Sequence, residues 1–167
     1  MPTALRETKS HTITWDVGPQ DQRPSGMTGL EALRHSLAAE HRRRTPIAAL
    51  MDFDLVSAED GVVVLEGRPG EQHINPIGIV HGGFAATLLD AALWSAVQTT
   101  IQPGEGHTTL ELKVNYSRPM TPKTGPVDCE ARIVHRGGRV AVAEARITDK
   151  AGKLYAYGSS TLLIDKR

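Results

Sequence analysis

The sequence predicts an α+β fold: an antiparallel sheet packed on one long helix. Three observations carry this. The hydrophobic period changes along the chain in the order helix, two strands, long helix, four strands. The segment "HGGFAATLLDAALWSAV" is apolar nearly all round, with Phe84, Leu88, Leu89, Leu93, Trp94 and Val97 separated by alanines. Such a helix must be buried on most sides. The run "RVAVAEARI" alternates cleanly. Val140, Val142, Glu144 and Arg146 share one strand face, and Ala141, Ala143, Ala145 and Ile147 the other.

The elements follow in order. Residues 1–25 are polar and read as extended, with a short strand at "TITWDV". In "TGLEALRHSLAAEHRRR", Thr28 and Glu31 have capping-box spacing ahead of an apolar stripe at Leu30, Leu33 and Leu37. The basic run Arg42 to Arg44 would complement the negative end of that helix. "TPIAALM" adds a short helical turn, with Thr45 as cap and Pro46 at the first position. "MDFDLVSAEDGVVVLEGRP" reads as two strands around a turn at residues 59–61. After the long helix come strands at 108–118, 127–136, 139–148 and 153–164, with Gly137–Gly138 as a two-residue hairpin signal. Residues 1–45 thus form an extension with one amphipathic helix, and residues 46–167 the main domain.

Composition narrows the function. The 167 residues suffice for one domain with its own core. Formal net charge is zero, so no global field draws nucleic acid or an anionic membrane. An anionic ligand must meet a local patch. The single cysteine, Cys129, excludes an intramolecular disulfide and suits the cytoplasm. The first residues lack the apolar core of a signal peptide, and no stretch has the length of a membrane span.

Asp90 stands out, because an unpartnered carboxylate in an apolar helix is costly. It reads either as a structural acid held by backbone or hydroxyl donors, or as a catalytic group. Gly82–Gly83 falls where the helix should start. Unpaired N–H groups there can hold an oxyanion, and a missing Cβ lets a ligand approach. Gly83 and Asp90 are seven residues apart, roughly 10 Å along a helix axis. A short side chain cannot span that distance, so one carbonyl cannot meet both groups of the same helix. If both act on one carbonyl, the acid comes from a neighbouring subunit.

The string "NPIGIVHGGFAATLLD" resembles the signature of hotdog-fold acyl-CoA thioesterases of the phenylacetate-pathway, PaaI-like type. The resemblance covers about residues 51–164, including "TTLELKVNYSRP" and "VHRGGRVAVAEARI", and leaves the first fifty outside. It implies a hotdog fold and hydrolysis of acyl-CoA in a homodimer or homotetramer, without cofactor. Asp90 matches the carboxylate that attacks the thioester or activates water. The Gly82 N–H matches the donor to the thioester oxygen, with Gly83 next to it. His81 and Asn75 match the polar residues beside that site. Thr109 matches the hydroxyl that supports the acid, with Thr108 as the alternative. Some relatives place a hydroxyl one turn after the acid. This chain has Trp94 there, which reads as acyl-pocket wall or core.

The phosphates of coenzyme A need local cations. Arg136 and Arg139 flank the glycine hairpin, and Arg118 ends a neighbouring strand; all three read either as phosphate ligands or as solvated strand ends. Metal chemistry has no support, since HExxH and CxxC are absent. A serine hydrolase lacks its G-x-S-x-G. Two alternatives stay open: a hotdog dehydratase or hydratase with His81 as base, and a non-catalytic acyl-CoA-binding module.

Overall fold

The structure is a computed structural model and describes residues 7–15, 26–39 and 44–166. Helix α1 (Gly29–Ala38) and helix α2 (Pro46–Met51) precede strands β1 (Phe53–Glu59) and β2 (Val62–Gly67). A 3-10 turn at Glu71–His73 leads to the long helix α3 (Gly82–Gln98). Strands β3 (Glu105–Tyr116), β4 (Val127–Arg136), β5 (Val140–Asp149) and β6 (Leu154–Lys166) complete the chain. The six strands form one antiparallel sheet in the order β1-β2-β4-β5-β6-β3. This is the expected α+β layout.

The core lies between one face of α3 and one face of the sheet. Phe84, Leu88, Leu89, Leu93 and Val97 are buried on the helix. On the sheet they meet Val63, Leu65, Val127, Ile147 and Leu162, with Ala131, Ala141, Ala143 and Ala145 between. Small residues at the centre of β4 and β5 leave room for the leucines of α3. Each fully buried leucine contributes about 1.5–3 kcal/mol. The expected alternation of β5 holds: Ala141, Ala143, Ala145 and Ile147 face inward.

One face of α3 is left open. Ala86, Thr87, Asp90 and Ala91 are half-buried and Trp94 is exposed, so α3 is not covered all round by its own chain. The sheet has one face to offer, and a helix facing it buries one stripe. Asp90 lies on the uncovered side and is half-buried in the single chain.

Local signals read well at the N-terminal side. Thr28 and Glu31 form the capping box, and Thr45 caps α2. Leu30, Leu33 and Leu37 pack on the core. Helix α1 is tied down by the Gly29 N–H donating to the Ile101 carbonyl at 2.8 Å and by Arg34 Nε donating to the Ala58 carbonyl. The basic run behaves differently. Arg42 and Arg43 lie outside the described residues, and Arg44 sits beyond the end of α1, paired with Asp52 and Asp54. Two carboxylates on the α2–β1 junction out-compete a helix end. No strand forms over Thr12 to Trp15, and the rest of "TITWDV" lies outside the described residues.

Two boundaries shift. Strand β3 starts at Glu105, opposite Lys166, and stops before Ser117, because the Ser117 and Arg118 N–H groups both turn to the Tyr155 carbonyl. At the β4–β5 hairpin the Gly137 N–H donates to the Val140 carbonyl, so Gly138–Arg139 is the loop pair.

Candidate active site

The N-terminus of α3 is built by one loop. The His81 N–H donates to the His73 carbonyl at 2.7 Å, and the Val80 N–H to the Met120 carbonyl at 2.9 Å. Ile74 and Val80 form an isolated antiparallel bridge. Between them the Asn75 Oδ1 accepts from the Ile77 and Ile79 N–H groups. With its oxygen so engaged, Asn75 keeps its amide NH₂ as a donor.

His81 caps the helix, its Nδ1 accepting from the Gly83 N–H at 2.9 Å. This changes the role expected for Gly83, whose N–H is already used. Among the described residues none accepts from the Gly82 N–H. The acceptor Nδ1 also sets the His81 tautomer: a neutral ring then carries its proton on Nε2 and is a donor there. A histidine so held is no general base at either nitrogen.

Both glycines are explained by close approach. A Cβ on Gly82 would lie 3.1 Å from the Tyr116 ring, and one on Gly83 would lie 2.9 Å from His81 Nδ1. The Tyr116 hydroxyl donates to the Gly82 carbonyl at 3.1 Å. A cavity of about 380 Å³ opens here, lined among others by Asn75, His81, Gly82, Tyr116, Arg118 and Met120.

Beneath this loop lies His73, a buried residue. Its Nδ1 accepts from the Gly70 N–H at 3.0 Å, and its ring lies 4.7 Å from that of Phe84. Its Nε2 has no well-formed hydrogen bond. Burial pushes its pKa below the usual histidine range, and nearby His11 adds to that; the Leu50 carbonyl and Asp52 oppose it.

Asp90 occupies a different place. Its Oδ1 accepts from the Thr109 hydroxyl at 3.1 Å, which selects Thr109 over the exposed Thr108. The carboxylate lines a second cavity of about 410 Å³, together with Thr87, Ala91 and Trp94 of α3. Trp94 is 39% exposed and stacks on His107 with ring centroids 4.4 Å apart. It is therefore cavity wall rather than core. The two cavities share no lining residue. Within one chain, the acid and the free helix-start N–H do not face a common space.

The arginines separate as well. Arg118 lines the helix-start cavity, donates to the Leu154 carbonyl at 2.8 Å and lies over the Tyr155 ring. Arg136 is occupied by Glu105 at 2.8 Å and by the Thr100 hydroxyl. Glu105 is in turn held below the usual carboxylate range, first by the Gln102 N–H and then by Arg136. Arg139 is exposed, and neither it nor Arg136 lines either cavity. Tyr116 was missed in the sequence because only the folded sheet brings it to Gly82. Cys129 is buried and its thiol is pushed up by desolvation, so it is chemically quiet. Among the described residues no group of three or more His, Cys, Asp or Glu could hold a metal, and no helix is long and apolar enough to cross a membrane.

Known proteins resemble this chain in sequence and fold. Residues 77–156 match the model of the Thioesterase superfamily. The chain is 32% identical to human acyl-coenzyme A thioesterase 13 over 133 residues, 78% of this chain and 93% of that protein. The chain belongs to the thioesterase superfamily. The match to the human protein reaches back into the first fifty residues, further than the 51–164 stretch that carried the resemblance. A 1,4-dihydroxy-2-naphthoyl-CoA hydrolase from Listeria monocytogenes is 29% identical, covering 69% of this chain and 92% of that one. Among solved structures, a variant of the phenylacetic acid degradation protein PaaI from Thermus thermophilus superposes with a TM-score of 0.65 at 26% identity, covering 71% of this chain and 98% of that one. A conserved protein from Pseudomonas aeruginosa superposes with a TM-score of 0.68 at 30% identity, over 79% and 98% of the two chains. The fold is the hotdog fold, and the chain is a thioester hydrolase.

Proposed function

We propose that this thioesterase hydrolyses acyl-CoA in a homo-oligomer whose sites each join two protomers. One protomer supplies the α3 start, with the Gly82 N–H, the Asn75 amide and the His81 Nε2–H turned to the thioester oxygen. The other supplies Asp90, held by Thr109. The observation that carries this reading is the separation of Gly82 and Asp90 into two cavities of one chain. The free edge of the sheet supports it. Strand β3 ends the strand order, carries Thr109 and Tyr116, and exposes Leu110 at 57% and Tyr116 at 59%. An uncovered edge of this kind pairs readily with a second copy.

In the reaction, the carbonyl oxygen gains negative charge as the thioester carbon becomes tetrahedral, and the donors at the helix start stabilise it. Asp90 either takes a proton from the attacking water or attacks the carbon itself, giving an anhydride that water then cleaves. In both cases the C–S bond breaks and the coenzyme A sulfur leaves as thiolate, to be protonated. Among the described residues Thr109 is the one hydrogen-bond partner of the Asp90 carboxylate, which leaves the other oxygen able to act. The His81 tautomer disfavours a dehydratase, because that ring offers a donor and not a base.

Mixing two inactive variants tests the shared site. Asp90→Asn removes the acid. Gly82→Pro removes the free N–H at the first helical position, where the preceding His81 is already extended, at φ −61° and ψ 140°; its Cβ must displace the Tyr116 ring, so the fold of this parent is checked first. After subunit exchange of folded parents, a two-fold dimer with shared sites regains about a quarter of wild-type activity. Hybrids shown to form without regaining activity overturn the shared site.

A further inference from the structure

The cavity beside Asp90 has a wall that does not come from the sheet. Leu33 and Leu37 of α1 and Ile47 of α2 face it, opposite Ala91 and Trp94 of α3, with Leu55 of β1 between. Leu33 and Leu37 are one helical turn apart, so they present a continuous apolar strip about 6 Å long. The helix that bears them is fixed at both sides, by Gly29 to Ile101 and by Arg34 to β1.

The charges at this cavity are already used. Arg44 lines it but pairs with Asp54 through Nε at 2.9 Å and with Asp52 at 2.9 Å. Asp54 is also held by Arg68 at 2.8 Å. Among the described residues no free cation is left on this wall for a phosphate or for a carboxylate at the far end of an acyl group. The nucleotide half of the substrate therefore has no counter-charge here, whereas an uncharged hydrocarbon meets leucine, isoleucine, alanine and tryptophan. Trp94 and Ile47, 39% and 48% exposed in the single chain, gain cover from such a group. The volume of about 410 Å³ falls within the range of small-molecule sites.

We infer that helix α1, through Leu33 and Leu37, closes the acyl end of the site and sets the chain length of an uncharged aliphatic acyl group. This rests on the placement of Asp90 at the reacting carbonyl. The helix before the sheet is then a specificity element, and its sequence tunes the substrate without touching the chemistry.

The test is the ratio of kcat/KM for dodecanoyl-CoA to that for acetyl-CoA, with phenylacetyl-CoA as a third substrate. Wild type prefers dodecanoyl-CoA. Leu33→Trp fills the cavity and lowers the ratio about tenfold, the size of effect a few lost methylene contacts give. Leu37→Ala enlarges the cavity and moves the preference to longer chains, so it reads the same wall if the tryptophan variant does not fold. A wild-type preference for acetyl- or phenylacetyl-CoA overturns the inference. So does a ratio that stays fixed in both variants. Full activity of a folded Asp90→Asn protein instead overturns the assignment of Asp90, whatever the chain-length ratios show.

Discussion

The two cavities of this chain differ in kind. The one at the start of α3 sets donors, the Gly82 N–H, the Asn75 amide, the His81 ring and Arg118, among apolar residues such as Ile79, Val80 and Met120. The one beside Asp90 is made of an acid and hydrocarbon, with its charged rim internally paired. A thioester needs both, since its oxygen gains negative charge while its carbon is attacked. Helix α3 carries Gly82 and Asp90, but at different points along its length and towards separate spaces. The lesson is that one apolar helix can turn a donor and an acid towards separate spaces.

The largest effect should come from the acid side. Asp90→Asn keeps shape and loses the basic oxygen, so kcat falls by about 10²–10⁴-fold, the usual range for a general acid–base group. Substrate KM should change far less. Steady-state release of free thiol from acyl-CoA checks this, and a folded variant with near-normal kcat would erase the distinction between the cavities.

A smaller effect is expected at the donor side. Arg118 stands at the helix-start cavity, so Arg118→Ala should raise KM for acyl-CoA about tenfold, as loss of one charge-assisted contact does. Hydrolysis of a thioester lacking the nucleotide should be little affected, and the salt dependence of KM should flatten. Arg136→Ala serves as the contrast. That side chain is committed to Glu105, so its loss should lower Tm and leave the salt dependence of KM in place. A reversed outcome would move the phosphate patch to the β4–β5 hairpin.

The smallest effect concerns what lies under the donor loop. His73 is buried and its pKa is depressed in the folded chain, whereas the unfolded value is near 6.5. The unfolded state therefore binds more protons as pH falls below about 6.5. The stability contributed by neutral His73 is full above that pH and is lost on the way down to the folded pKa. His73→Asn, which keeps an acceptor for the Gly70 N–H, should show a shallower fall of Tm between neutral pH and mildly acidic pH. Thermal melts across that window decide it, and equal slopes would show that His73 does not report on the loop.

Much of the fold was legible because local rules and burial agree. The capping box at Thr28, the alternation in β5 and the apolar periodicity of α3 each follow from one short window. The site was legible in part: the spacing from Asn75 through His81 to Asp90 pointed to it, and the seven residues between Gly83 and Asp90 implied that they cannot share one carbonyl. The rest depends on contacts between distant segments. Nothing local says that Tyr116 lies on Gly82, or that Arg136 finds Glu105 before any phosphate.

By itself, then, the sequence determined the order of elements, the helix that carries the acid, and the residues with the chemistry to act. Tertiary structure alone decided that Asp90 sits on the open face of α3, that Thr109 rather than Thr108 holds it, and that α1 walls its cavity. The physical reason is one of range. Helical and strand periods, caps and turns are set by neighbours within a few residues, whereas exposure and pairing are set by whichever strand or helix packs opposite. A sheet buries one stripe of α3, and Asp90 lies on what that leaves uncovered.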